Sequence, residues 1–364
     1  MPFEFSFTKE QEQFRRTVRE FLYENILPTV QDYDKNEEFP LDNVQKMAFQ
    51  GYFGLTIPKN YGGQELSKIE YGILLGEIGG ICSSHGTILG AHLGLCATPI
   101  VLFGTEEQKQ KYLPSLASGN SLGAFALTEP GAGSDATNLK TTGVLSDDGK
   151  HYILNGEKQF ISNGSWADVF TVLVQVDGDK FSGFIVDRDT EGFEIGAEEK
   201  KMGMKGSSTT PLIFTNAKVP VENLLYKVGK GATIAFNILN TGRYKLAAAC
   251  IGGSKLGIEH AIEYALNRRQ FGQPIANFDA IKGKIADMTV RVYAADSMLY
   301  RTVGLIQDTI DELDKSDPDY YKKMGEAHER FAIEASMAKV FGSETSNLVV
   351  DEALQIHGGY GFID

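Results

Sequence analysis

With 364 residues, 42% of them apolar, the chain is long enough for a large core divided over more than one domain. A net charge of −13 disfavours nucleic acid, because neutralising a phosphate backbone needs a concentrated basic surface. Three cysteines provide no disulfide framework and suit a reducing compartment, and no apolar run reads as long enough to cross a bilayer.

The start, Met-Pro-Phe-Glu-Phe, has neither a basic segment before an apolar core nor an arginine-rich presequence, which argues against export. From Thr8 a T-x-x-Q capping box precedes Phe14, Val18, Phe21, Leu22 and Ile26, the spacing of an amphipathic helix. Cys82, His85, His92 and Cys96 share one helix face. Cys82 and Cys96 would lie roughly 21 Å apart along it, too far for one tetrahedral metal, so a satisfied core face is expected and no metal site. Thr105 to Gln108 repeats the capping box, and a helical domain over 1–120 ends near Gly119-Asn120.

Between 121 and 227 the pattern becomes one of strands: Ala124 to Leu127, Gly143 to Leu145, His151 to Leu154, Phe170 to Val176, Ser182 to Val186 and Leu212 to Phe214. Turns are expected at Asp148-Gly149, Asn155-Gly156 and Asp177-Gly178-Asp179. Gly131, Gly133 and Ala136 fit the spacing G-x-G-x-x-A, which lets main-chain N–H groups approach a pyrophosphate, but the hairpins that follow exclude a βαβ unit. After Gly231 helices return over 228–364. One runs from Ile234 to Leu266, about 50 Å at helical rise, and ends near Arg268-Arg269. Asp317-Pro318 supplies the cap and first-turn proline of another, and a last helix runs from Ser343 to a stop at Gly358-Gly359.

Thr128-Glu129-Pro130-Gly131-Ala132-Gly133-Ser134-Asp135 and Gln159-Phe160-Ile161-Ser162-Asn163-Gly164 resemble the two flavin signatures of the acyl-CoA dehydrogenase family. Asn267 to Gly272 and Gln355 to Phe362 follow in the family's order, and with Ile238 to Arg243 are most similar to its very-long-chain branch and bacterial relatives. The resemblance implies an α+β multidomain fold: an N-terminal helical domain, a middle β-barrel-like domain and a C-terminal four-helix bundle. It also implies FAD as cofactor and dehydrogenation of acyl-CoA to trans-2-enoyl-CoA in β-oxidation, with long chains as substrates. Electron-transfer flavoprotein would accept the electrons, and the protein would be a homodimer or homotetramer in the cytoplasm or, processed, in the mitochondrial matrix. A catalytically silent flavin-binding protein of the same fold and an acyl-CoA oxidase are the alternatives.

By the same resemblance Phe125, Leu127 and Thr128 line the isoalloxazine, Phe160 packs beside it and Ser162 offers its hydroxyl towards N5. Gly133 and Ser134 lie where the cofactor pyrophosphate and the pantetheine arm of the substrate meet. Arg268, Gln270, Phe271, Phe278, Gln355, Gly358 and Gly359 reach the flavin of a neighbouring subunit, and Asn240 and Arg243 belong to the substrate segment. From the residues alone, Phe125 and Leu127 are equally inward strand residues, Thr128 and Ser134 turn residues, Arg268 a helix-end cation and Gly358-Gly359 a helix stop. The family's base, a glutamate in a Y/F-E-G-T sequence after the Gly-Gly-x-Gly-Phe block, is expected beyond Asp364. The position used by a minority of relatives holds Gly242, which has no side chain to take a proton.

Overall fold

The computed structural model describes residues 6–363; the Met1 to Phe5 start and Asp364 lie outside the described residues. The N-terminal domain is built from α1 (Lys9–Asn25), α2 (Leu27–Asn36), α3 (Leu41–Phe49), α4 (Lys68–Gly79), α5 (Ser83–Leu89), α6 (Thr98–Phe103) and α7 (Glu106–Ser118). Both capping boxes form: Gln11 N donates to Thr8 Oγ1 and Gln108 N to Thr105 Oγ1, with each glutamine side chain returning to its cap N–H. Gly119, at φ 74°, ends α7 in the left-handed conformation that a residue without Cβ adopts at least cost.

Between α5 and α6 the helix passes through a π-helical segment, Gly90–Ala97. Pro99 has no N–H to continue the ordinary ladder, while Thr98 N and Thr98 Oγ1 both donate to Leu93 O, which fixes the wider turn. The whole stretch Ser83–Phe103 has mean hydropathy 1.7 in its most apolar window, long and apolar enough by composition to cross a membrane, so the expectation of no such run needs correcting. That window is 78% buried inside the protein, so these are core residues of the fold.

The middle domain is a sheet of β1 (Gly123–Ala126), β2 (Thr142–Leu145), β3 (His151–Ser162), β4 (Val169–Val176), β5 (Lys180–Asp187), β6 (Phe193–Ile195), β7 (Thr209–Pro220) and β8 (Leu224–Leu225). The order is β6-β7-β3-β2-β4-β5-β8, with β1 parallel to β4 over Val169 to Val172, on the edge where β2 pairs further along. Asn155-Gly156 is not a turn: β3 runs through it. The register against β7 slips between Leu154 and Gly156: the extra residue lies in β7 between Phe214 and Ala217, where Asn216 takes φ 50°, and Gly156 stands opposite it at φ 144°. The turn reading failed because Asn-Gly also suits a strand position opposite a bulge.

The C-terminal domain comprises α8 (Gly231–Asn267), a hairpin of β9 (Arg269–Gln270) and β10 (Gln273–Pro274), α9 (Asp279–Asp311), α10 (Tyr320–Arg330) and α11 (Ala332–His357). Two sequence expectations are corrected here. Asp317 and Pro318 precede α10, whose cap is Asp319; Asp317 instead accepts from Asp319 N in the approach turn. The last helix begins at Ala332, eleven residues before Ser343, because Ala, Ser and Gly on several faces of α11 blur its periodicity. Helices α4 and α8 approach until a Cβ on Gly252 would sit 1.8 Å from Gly76 O, so this crossing exists only with glycine there. One apolar cluster runs through both helical domains and a second fills the sheet. A third, containing Leu127, Ala132, Leu139, Leu173, Phe181 and Ala235, seals the segment after β1 against α8.

Candidate functional site

The segment after β1 leaves the sheet at Leu127 and closes a tight turn in which Glu129 N donates to Ala132 O and Ala132 N to Glu129 O. No helix follows, consistent with the exclusion of a βαβ unit. Beneath the turn lies a buried ion pair, Lys158 Nζ to Glu129 Oε1 at 2.7 Å, with side chains 0% and 3% exposed. Lys158 also donates to Leu127 O at 3.2 Å, and the Glu129 carboxylate accepts from Lys140 N and Thr141 N. Burial pulls Lys158 down to about 8, with Glu129 holding it up. Burial also acts to raise the Glu129 carboxyl, but Lys158 and the two N–H donors outweigh it and hold the group below its usual range. At neutral pH both are charged, and the pair fixes both ends of the turn.

Gln159 N donates to Thr128 O at 2.8 Å, tying β3 alongside the segment. A second slip in β3, between Lys158 and Ile161, turns Phe160 out at φ 60° and 62% exposed while Lys158 and Ile161 stay buried. Ser162, half-buried, pairs across to Thr209. Asn163 then adopts φ 65° and donates to Ile88 O and Gly123 O, anchoring the end of β3 to α5 and the start of β1. Phe125 on β1, Leu127 and Thr128 on the segment that follows it, and Phe160 and Ser162 on β3 are thus brought together by the Gln159 to Thr128 bond, although β1 and β3 are not paired in the sheet. Leu127 is 7% exposed and packs into the third core, so backbone is its main contribution to any open surface. Gly133 and Ser134 are exposed, and a Cβ on Gly131 or Gly133 would meet nothing within 4 Å, so the backbone is open to a ligand there.

The C-terminal residues form a separate surface. Gln270, Phe271, Gly272 and Gln273 make the hairpin turn, with Phe271 at φ 50° and Gly272 at φ 79°, the signs a two-residue primed turn requires. Phe271 is 92% exposed and meets Phe278 edge-on at 6.1 Å. Arg268, Gln270, Gly358 and Gly359 line one open depression with Tyr264 and Tyr360; the Arg268 guanidinium lies 5.5 Å from the Tyr360 ring centre, and Tyr264 stacks on His357. Gln355 is exposed one turn back, its carbonyl accepting from Gly358 N. Arg243 donates to Asn240 Oδ1 on α8, and Gly242 faces Leu95.

The sequence reading missed the structural role of Lys158, Asn163 and His92. His92 Nδ1 accepts from Gly123 N at 3.0 Å while Nε2 lies 3.2 Å from Phe53 O and 3.1 Å from Leu116 O, so a neutral ring with its proton on Nε2 sets where β1 begins. Burial pushes it down to about 4. His85 meets Asn43, Cys96 is buried, and no group of three metal-ligating side chains exists among the described residues.

A helical domain, a β domain and a helical domain follow in this order, with a glycine-bearing turn clamped by a buried ion pair and an exposed aromatic on the neighbouring strand. The acyl-CoA dehydrogenase N-terminal, middle and C-terminal domains match residues 8–120, 124–217 and 229–364, and the chain belongs to the acyl-CoA dehydrogenase family. It is 49% identical over 98% of its length to a protein of Bacillus subtilis described as a probable acyl-CoA dehydrogenase, of which it spans 60%. It is 38% identical to a short-chain-specific acyl-CoA dehydrogenase of Clostridium acetobutylicum, covering 99% of this chain and 90% of that one. A very long-chain-specific mitochondrial relative from Macaca fascicularis stands at 40% over 94% of this chain and 52% of its own. The crystal structure of an acyl-CoA dehydrogenase complexed with FAD from Bacillus anthracis superimposes with a TM-score of 0.94 at 44% identity, over 98% of this chain and 63% of that one.

Proposed function

We propose that the whole protein carries out FAD-dependent α,β-dehydrogenation of an acyl-CoA thioester, giving the trans-2-enoyl-CoA. The observation that carries this reading is the clamped turn: an open, glycine-bearing backbone from Gly131 to Ser134 held against β3 by a buried ion pair, with Phe160 turned out beside it. The open backbone and the exposed aromatic face fit a flavin, and when bound FAD supplies the hydride acceptor. Thr128, Ser162 and the Gly133-Ser134 backbone would position the ring and pyrophosphate, while the third core beneath Leu127 excludes water from that side. Asn240 and Arg243, joined by their hydrogen bond, would orient the thioester end of the substrate. Removal of a weakly acidic α-proton needs a carboxylate in a dry site and donors aimed at the developing enolate oxygen. No such carboxylate is assigned among the described residues.

Arg268, Gln270, Phe271, Phe278, Gln355, Gly358 and Gly359 are proposed to complete the site of a second subunit, since they lie on an open surface apart from the clamped turn. The three-part division at 120 and 227, a homodimer or homotetramer, a role in β-oxidation and electron-transfer flavoprotein as acceptor belong to the same proposal. A cytoplasmic location accords with the Bacillus subtilis relative. Long-chain acyl groups are the proposed substrates; the short-chain and very-long-chain relatives stand at almost equal identity, so the pocket must decide. Anaerobic titration of the flavin-loaded protein with palmitoyl-CoA and butyryl-CoA tests this. Bleaching by palmitoyl-CoA alone is expected, bleaching by butyryl-CoA alone overturns the chain length, and bleaching by neither overturns the activity.

A further inference from the structure

A second polar centre lies in the helical core, away from the clamped turn. Lys245 on α8 is 7% exposed, and its Nζ donates over 3.5 Å to Thr241 Oγ1, which itself donates to Ile238 O. That nitrogen lies 4.9 Å from the ring centre of Tyr71 on α4 and 5.8 Å from that of Tyr244. The hydroxyls of both tyrosines are buried and have no hydrogen-bond partner among the described residues. A Cβ added to Gly94 in the π-helical segment would lie 3.1 Å from Lys245 Nζ and 3.4 Å from Tyr71 Oη, so amine and hydroxyl reach the same stretch of backbone.

Burial holds Lys245 well below the ordinary value of a lysine, and the nearby Lys68, one turn before Tyr71, adds to the shift by repulsion. Lys245 therefore stands as an amine with a lone pair, not as a cation. A desolvated amine is the form of lysine that attacks an electrophilic carbon. Burial also pulls Lys68 down, but only to about 8, so this second lysine keeps its charge at neutral pH. Among the described residues no carboxylate pairs with either lysine. On the α10 side His328 is held by Met324 O and is neutral, because burial and the two lysines push it down to about 3. A buried nucleophile, a phenolic donor without an acceptor and a cation without an anion thus meet between α4, α8 and the π-helical segment. An anion formed at Lys245 Nζ would satisfy the other two.

We propose that Lys245 is a carbon dioxide site: its Nζ carries a carbamate whose oxygens accept from Tyr71 Oη and the Lys68 ammonium. The amine lone pair forms the N–C bond, one C=O bonding pair moves onto oxygen, and the proton displaced from nitrogen passes to solvent. Nothing is oxidised or reduced, and no co-reactant is needed. Carbon dioxide is small and uncharged enough to cross packed helices, whereas burial of Lys245, Tyr71 and Tyr244 keeps a thioester or any larger electrophile out. The product gives Lys68 the anionic partner it lacks and ties α4 to α8 beneath Gly94. The site is independent of flavin binding and of any acyl-CoA bound elsewhere.

The test equilibrates the intact protein, Lys245→Met and Lys68→Met at constant pH with isotopically labelled carbon dioxide. The carbamate is read by carbon NMR, then trapped as its alkyl ester with a trialkyloxonium salt and located by peptide mass spectrometry. One saturable carbamate signal is expected, mapped to Lys245 and absent from Lys245→Met, with the affinity for carbon dioxide at least tenfold weaker in Lys68→Met. No adduct on Lys245, an equal signal from Lys245→Met, or unchanged affinity in Lys68→Met overturns the proposal. Should Lys245→Met fail to fold, the mapped adduct on the parent chain and the affinity of Lys68→Met decide.

Discussion

The turn from Leu127 to Ser134 and the surface made by the β9–β10 hairpin with the end of α11 carry the family's signatures at two places, and they are built in opposite ways. The turn is set before any ligand arrives: an ion pair with almost no solvent exposure, two main-chain donors on Glu129 and a third core behind Leu127 hold the backbone in one shape. The hairpin surface instead offers Phe271, Tyr360 and Phe362 to solvent at 92%, 66% and 91% exposure, with a glycine at the hairpin tip. A preorganised wall suits a group that must be held rigidly during chemistry, whereas exposed aromatics beside a cation suit a surface completed by a second molecule.

The largest effect that would break this contrast lies in the ion pair. Lys158→Met leaves the Glu129 charge buried alone and is expected to cost about 3–5 kcal/mol, because the lost partner is not replaced by solvent. Adding Glu129→Leu should restore most of that stability without restoring the turn, so chemical denaturation and flavin retention would separate. Equal recovery of both would show that the turn does not depend on the pair.

Acid sharpens the comparison next. His85 and His92 are held at about 4 and His328 at about 3, all by burial and all below the ordinary value near 6.5. Because these folded values lie below the unfolded one, the unfolded chain takes up protons first. Their contribution is complete above about pH 6.5 and is lost as pH falls towards 4, by up to about 1.4 kcal/mol per pH unit for each ring. The unfolding temperature should therefore drop between pH 6.5 and 5, and His92→Gln should make the drop shallower; an unchanged slope would mean that the ring is not buried neutral.

Those histidines also show what was legible. The capping boxes, most strands and the helix stop at Gly358 could be read because they rest on local chemistry within three or four residues. Of the four residues expected on one core face, His85, His92 and Cys96 are buried, whereas Cys82 is half-buried and precedes α5 in extended conformation; the partners of His92, Phe53, Leu116 and Gly123, are distant in sequence and could not be named. Lys158 escaped for a related reason: a lysine in a strand reads as an outward residue, yet Lys158 alternates onto the same buried face as Leu154, and its partner Glu129 lies on a distant segment. The C-terminal surface was recognisable by resemblance alone, since exposed residues carry no periodic signal.

Smaller effects follow. Gly252→Ala puts a methyl group against Gly76 O and should cost about 1–3 kcal/mol as α4 and α8 are forced apart. Thermal unfolding within error of the parent would deny that close crossing. On the open surface, Arg268→Ala should change stability by no more than about 0.5 kcal/mol while weakening flavin retention; a large loss of stability would make that surface a structural one.

The most direct test of the clamped turn as one wall of a flavin site is a titration of the folded chain with FAD, followed by flavin fluorescence and absorbance. Saturable binding at micromolar concentration or tighter is predicted, and it should be lost in the Lys158→Met, Glu129→Leu pair while the fold persists. A correctly folded parent chain that stays colourless at micromolar FAD would contradict the account.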